Sequence, residues 1–283
     1  MKTYPFKSIA LDGNLEADVH LPAPARRAQG SPVVIFIHGG ALMMGNRKLT
    51  PRPGSLLASL LDSGFTVVSI SYRLAPAVKL PEILQDVEEG CRWVRTHGPD
   101  LFSINAANCF LMGQSAGGYL TLAMGHRLEP KPAGLISFWG YGDITAPWYS
   151  QPDEFYRQQP LVTSEEAERE KGMKLYLYCR QQGRWPLVLT GLDPIKDSKA
   201  FDPFCPVRNV TEKYPATLLI HGTKDTDVPY SQSVQMAEAL KAARVEHELI
   251  TIADGGHGFG RNQSEVAART YAKAIQFMKK RIR

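Results

Sequence analysis

Apolar and polar positions alternate between two rhythms along most of the chain. Runs at 32–37, 65–70, 109–112, 133–138, 216–220 and 246–252 read as strands, rich in β-branched and other apolar residues. Those at 32–37 and 109–112 are apolar throughout, the mark of a strand buried on both faces. Helical text separates them, at 53–63, 81–96, just after Ser115, at 231–244 and from about Gln263. The 81–96 segment is amphipathic and carries Pro at its first turn, where the missing N–H costs nothing. Two further strands, 6–11 and 15–21, are joined at Asp12-Gly13-Asn14, a hairpin signal. Strands alternating with helices predict an α/β fold, a mostly parallel sheet with helices on both faces.

The rhythm breaks from Trp139 to about Val210. Aromatics, prolines and polar residues mix there, with one helical stretch at 164–179 that Thr163 or Ser164 caps, followed by Glu165 and Glu166. We read this stretch as a cap inserted at about 139–210 into a single α/β domain spanning 1–283. Its aromatics, Trp139, Tyr141, Trp148, Tyr149, Phe155 and Tyr156, are the kind that line an apolar pocket. Trp139, Tyr141 and Trp148 are the substrate-contact candidates.

Composition narrows the class. The 283 residues are 43% hydrophobic and 22% charged, enough for a sizeable core. The net charge of +5 is dispersed, and only Lys279-Lys280-Arg281-Ile282-Arg283 clusters, as a helix end favoured by the macrodipole. Nucleic-acid binding is not expected. No stretch is long and apolar enough to span a bilayer. The first residues lack the apolar core of a signal peptide, so a cytoplasmic protein is expected. Cys91, Cys109, Cys179 and Cys205 form no C-x-x-C pair and no zinc spacing, and read as reduced, buried thiols. The sequons at Asn209 and Asn262 are coincidental on this reading. The sequence carries no signal of oligomeric state.

Candidate chemistry centres on Gly113-Gln114-Ser115-Ala116-Gly117. A strand leads into this turn and a helix leaves it, the context that turns a G-x-S-x-G match into a nucleophile elbow. A Ser in such a strained turn needs neighbours without a Cβ two residues before and after, so that strand and helix pass closely. A serine hydroxyl is a poor nucleophile at neutral pH and needs a base, which in turn needs an orienting carboxylate. In elbow-bearing folds these follow in the order acid, then His, on loops after later strands. Asp225 and His257 meet both conditions, and all three residues fall just past the carboxyl ends of strands, where such sheets place their sites. Asp227 is the rival acid, expected instead to bond the local turn. His221 is expected to bond within its own turn.

The oxyanion of an acyl-transfer intermediate needs preorganised N–H donors, worth roughly 3 kcal/mol each. Gly39 and Gly40, in His38-Gly39-Gly40-Ala41 after the strand at 32–37, and Ala116, next after Ser115, are assigned to that oxyanion hole. His38 is expected to fix the loop rather than carry protons.

Together these motifs, with Tyr72-Arg73-Leu74-Ala75-Pro76, His221-Gly222-Thr223-Lys224-Asp225 and Gly256-His257, resemble the α/β-hydrolase superfamily. The resemblance is to esterases related to hormone-sensitive lipase and to bacterial carboxylesterases near them. Gln114 stands where that family usually has Asp, and the family's N-terminal cap helices have no counterpart in this sequence. Asp225-Thr226-Asp227-Val228-Pro229 is more similar to esterases that resemble prolyl-oligopeptidase catalytic domains. The expected function is a serine carboxylesterase acting on a small-molecule ester of short or medium acyl chain, with no metal and no organic cofactor. An amidase, an arylformamidase or a small peptidase would use the same residues and is told apart by a panel of esters, anilides and formamides. A non-catalytic ligand-binding protein on this fold would tend to lack the His that this chain has at 257. A dinucleotide-binding reading fails, because the elbow lacks the G-x-G-x-x-G spacing.

Overall fold

A computed structural model describes residues 1–10, 13–26, 30–258 and 264–283. Leu11 and Asp12 of the hairpin turn, and the sequon residues Asn262 and Gln263, lie outside the described residues.

The strands are β1 (Lys2–Ile9), β2 (Gly13–His20), β3 (Ser31–Ile37), β4 (Thr66–Ile70), β5 (Ile104–Gln114), β6 (Gly134–Phe138), β7 (Thr217–Gly222) and β8 (His247–Ile252). They form one sheet in the order β1-β2-β4-β3-β5-β6-β7-β8. β1 and β2 pair antiparallel, β2 joins β4 antiparallel, and every pair from β4 through β8 is parallel. The parallel strands are connected by α1 (Leu56–Asp62), α2 (Leu80–Phe102), α3 (Ala116–Arg127), α9 (Ser231–Ala242) and segments described below, and α10 (Ser264–Lys279) follows β8.

The pleat of β3 shows how the sheet is buried from both sides. Val33, Ile35 and Ile37 pack with α2 and α3, while Val34 and Phe36 pack with α1 and α10. All five are buried. The expected α/β architecture with both faces covered is therefore the one observed.

Two helices differ from expectation, each for a local reason. α2 runs to Phe102 rather than Thr96, passing through Gly98-Pro99. Gly98 is where the side chains of Ile104 and Phe102 close in, so near that a Cβ would sit 2.6 and 2.7 Å from them. Packing of Phe102 thus carries the helix past residues of low helix propensity. The single helix expected at 164–179 is two, α6 (Ser164–Glu170) and α7 (Gly172–Gln182). The break is at Lys171 and Gly172, with φ of 52° and 47°. The start of α6 follows the sequence signal: Glu166 N–H donates to Thr163 Oγ1 and Thr163 N–H to Glu166 Oε2, a capping box.

Between β6 and β7 lie α4 (Pro147–Ser150), α5 (Glu154–Arg157), α6, α7 and α8 (Trp185–Thr190). This helical insert packs on itself around Arg180, which is 1% exposed. Its guanidinium bonds Asp153 Oδ2 at 2.7 Å and lies 4.3–5.7 Å from the ring centres of Trp148, Tyr149, Tyr156 and Tyr176. All four cysteines are buried and free. Burial pushes the thiols of Cys109, Cys179 and Cys205 up to about 12, which leaves them as inert core residues.

Candidate active site

The Ser115 turn is held by close backbone contacts. Ser115 has φ 54° and ψ −122°, a strained position for a residue with a side chain. Its N–H donates to the Phe138 carbonyl at 2.9 Å, and its own carbonyl accepts the Tyr119 N–H at 3.0 Å. A Cβ at Gly113 would overlap the Gly117 carbonyl, and one at Gly117 would overlap the Ile37 carbonyl. Only glycine lets β5, α3 and the end of β3 approach this closely.

Asp225 and His257 arrive from the β7–α9 and β8–α10 connections. These two loops are tied together by Thr223 N–H to the Ile252 carbonyl (3.0 Å) and Lys224 N–H to the Gly255 carbonyl (2.9 Å). Asp225 Oδ2 lies 2.8 Å from His257 Nδ1, and His257 Nε2 lies 3.1 Å from Ser115 Oγ. A carboxylate only accepts, so the ring proton sits on Nδ1 and Nε2 faces the hydroxyl as an acceptor. The three sequence candidates therefore meet in one chain of hydrogen bonds.

The side chain of Asp225 is fully buried, and both its oxygens are used. Oδ1 accepts the N–H groups of Asp227 and Val228 at 2.8 and 2.9 Å. Oδ2 accepts from His257 and from His221 Nε2 at 3.2 Å. Burial alone would raise this carboxyl, but the bonds and charges of His221 and His257 outweigh it and hold it well below the ordinary carboxylate range. Asp225 is thus ionised at neutral pH. His221 also reaches the Val228 carbonyl (3.0 Å) and Ser233 Oγ (2.7 Å), bonding within its turn as expected and bracing the acid as well.

Gly39 and Gly40 lie on the wall beside Ser115, and Ala116 begins α3 directly behind it. Among the described residues, none of their N–H groups is given to a backbone acceptor. The loop is held from below. The His38 ring stacks on Tyr72 at 4.1 Å, and its Nδ1–H donates to the Gly39 carbonyl at 2.8 Å. The Tyr72 hydroxyl donates to the His38 carbonyl at 2.8 Å. Burial pulls the His38 imidazole down to about 4, so it is neutral and structural. Arg73, next in the chain, is anchored through Nε to Asp86 Oδ2 (2.7 Å) and through Nη2 to Asp86 Oδ1 (2.8 Å).

A cavity of about 510 Å³ opens over Ser115, bordered by Gly39, Gly40, Met44, Leu49, Trp139, Met173, Tyr176, Asp227 and His257 among others. A second cavity, of about 140 Å³, shares Phe36, Leu49 and Gln114 with it and is otherwise lined chiefly by Leu56, Leu57, Leu60 and Val67. Of the three aromatic candidates, only Trp139 borders the main cavity, with its ring centre 5.9 Å from that of His257. Tyr141 is buried against Tyr119 at 4.8 Å, and Trp148 packs on Tyr149 at 3.4 Å beside Arg180. Both belong to the packing of the insert: Tyr141 also meets the rings of Tyr149 and Trp185, and Trp148 lies beside the Arg180 guanidinium.

Asp227 departs from expectation too. It leaves the local turn to Asp225 and instead accepts at Oδ1 from Tyr156 (2.6 Å), Tyr176 and Arg180 (2.9 Å), all in the insert. Its Oδ2 lies 3.3 Å from His257 Nε2. Met173, Tyr176 and Leu49 gave no sequence signal as cavity residues. Among the described residues, no group of three or more His, Cys, Asp or Glu side chains is placed to hold a metal ion, and no helix is long and apolar enough to cross a membrane.

The nucleophile-elbow geometry, the chain order Ser-Asp-His and the mostly parallel sheet define an α/β-hydrolase. A family model described as alpha/beta hydrolase fold matches residues 34–261, and the chain belongs to that family. It is similar in structure to a truncated carbohydrate esterase from gut microbiota (20% identity, TM-score 0.75, 99% of this chain and 96% of that one). It is likewise similar to carboxyl esterase 2 from the mycorrhizal fungus Tuber melanosporum (21% identity, TM-score 0.73, 100% and 87%). In sequence it matches the non-reducing polyketide synthase adrD of Penicillium rubens, 23% identical over 95% of this chain. The chain spans only 13% of that synthase's length.

Proposed function

We propose that the protein is a serine carboxylesterase acting on small-molecule esters with short acyl chains. The single observation that carries this reading is the continuous relay from Asp225 through His257 to Ser115, at 2.8 and 3.1 Å. The esterases among its structural neighbours favour the same reading.

The steps follow from the atoms present. His257 Nε2 takes the Ser115 proton as Oγ bonds to the ester carbonyl carbon. The negative charge that develops on the carbonyl oxygen is met by the N–H groups of Gly39, Gly40 and Ala116. His257, now an imidazolium stabilised by ionised Asp225, gives the proton to the departing alkoxide as the carbon–oxygen bond breaks. Water, activated by the same imidazole, then releases the acyl group and restores Ser115. The insert at about 139–210 serves as a cap on the single domain, and its Met173 and Tyr176 reach the cavity.

The leaving group must lie on the His257 side of Ser115 to receive the proton. The acyl tail therefore turns the other way, toward Leu49 and Gln114, where the 140 Å³ cavity begins. An apolar cavity of roughly 150 Å³ holds a benzene, so this one takes about six carbons. With p-nitrophenyl esters, kcat/KM should rise from acetyl to butanoyl by about tenfold and fall beyond roughly eight carbons. Leu49→Trp, at the junction of the two cavities, should abolish the butanoyl preference while sparing acetyl. A flat acyl-length profile in wild type, or one unchanged in Leu49→Trp, would remove the acyl pocket from this reading. Absence of ester turnover altogether would remove the esterase.

A further inference from the structure

Asp227 stands beside the relay without belonging to it. Three donors from the insert converge on Oδ1, the Tyr156 and Tyr176 hydroxyls and the Arg180 guanidinium. They fix the carboxylate's rotamer and leave Oδ2 to the cavity side, 3.3 Å from His257 Nε2. The side chain is 22% exposed and borders the cavity.

His257 Nε2 thus has two oxygens within reach, Ser115 Oγ at 3.1 Å and Asp227 Oδ2 at 3.3 Å. While the ring is neutral and protonated on Nδ1, Nε2 and Oδ2 are both acceptors and form no bond. Once Nε2 holds the Ser115 proton, Oδ2 competes for it with the departing atom. A donor on the substrate removes this competition. An O–H or N–H that occupies Oδ2 leaves the Nε2 proton directed at the leaving atom. An apolar leaving group does the opposite, covering a charged oxygen without giving it a partner, which is costly.

The geometry points to Asp227 as a specificity-determining residue that selects substrates whose leaving group carries a hydrogen-bond donor close to the scissile bond. This rests on the serine-hydrolase reading above. The shared chemistry is the donor, supplied by the free hydroxyl of a diol or polyol ester or by the N–H of an amide.

The test uses the whole chain and matched substrate pairs. The first pair is 2-hydroxyethyl and 2-methoxyethyl butanoate, which differ in the donor. The second is butanoyl 4-nitroanilide and its N-methyl analogue. Wild type should favour the hydroxyethyl ester in kcat/KM by at least about tenfold, and Asp227→Asn should bring that ratio close to one. Turnover of the anilide but not of its N-methyl analogue would extend the donor to a scissile N–H. Hydroxyethyl preference without anilide turnover would assign it to an alcohol. Because Asp227→Asn also alters the Arg180 cluster, the wild-type ratio is read first and the variant's ratio second. A wild-type ratio near one overturns the inference, as does a preference that survives intact in Asp227→Asn. Turnover of all esters that persists in Ser115→Ala would instead defeat the underlying hydrolase reading, and the inference with it.

Discussion

Replacing Ser115 with alanine is expected to reduce ester hydrolysis by roughly 10⁴-fold or more, while the melting temperature stays within a few degrees of wild type. On the proposed mechanism one atom, Oγ, begins the reaction, and nothing else near His257 Nε2 replaces it. Asp227 Oδ2 is also within reach, but its carboxylate is fixed in place by the donors of the insert. The fold should survive because alanine keeps the Cβ and the backbone bonds to Phe138 and Tyr119. Initial rates on p-nitrophenyl butanoate, read beside a thermal melt, check both halves of the expectation. Undiminished turnover would mean that the 3.1 Å contact has no part in the chemistry.

The second large effect is on stability. Arg180→Met should destabilise the protein by about 3–5 kcal/mol, because breaking a buried ion pair leaves its partners charged and uncompensated. Here one guanidinium serves two carboxylates, Asp153 at 2.7 Å and Asp227 at 2.9 Å, and is enclosed by four aromatic rings. Methionine fills similar volume, so the loss reports charge and hydrogen bonding more than a cavity. Activity should fall as well, since Asp227 and Tyr176 border the cavity and lose their common anchor. Thermal and denaturant melts of the two proteins measure the first effect. An unchanged melting temperature would contradict the role of Arg180 as the hub of the insert.

What could be read from the chain alone follows a physical division. Ser115, Asp225 and His257 were legible because each lies in a loop at the end of a strand whose pattern is local, and the sheet brings those ends together. Gly113 and Gly117 were legible for the same reason: the crowding that demands them arises within a few residues of the turn. The side-chain packing inside the insert was not legible at that level. Tyr141 and Trp148 look like pocket residues by composition, but which way they turn is decided by partners distant in the chain, Tyr119 and Trp185 for Tyr141 and Arg180 for Trp148. The direction of Asp227 is set from the insert as well, by Tyr156, Tyr176 and Arg180, so its own loop offered only the reading of a turn residue. The break between α6 and α7 at Lys171-Gly172 shows the same limit, since a continuous helical pattern does not reveal where packing requires a corner.

The most direct test of the relay is covalent labelling. A fluorophosphonate probe should add one equivalent to the native protein, peptide mapping should place it on Ser115, and the rate should fall sharply in His257→Gln, where the proton acceptor is gone. No adduct, or an adduct on another residue formed at the same rate with and without the imidazole, would contradict the assignment of Ser115 as the nucleophile.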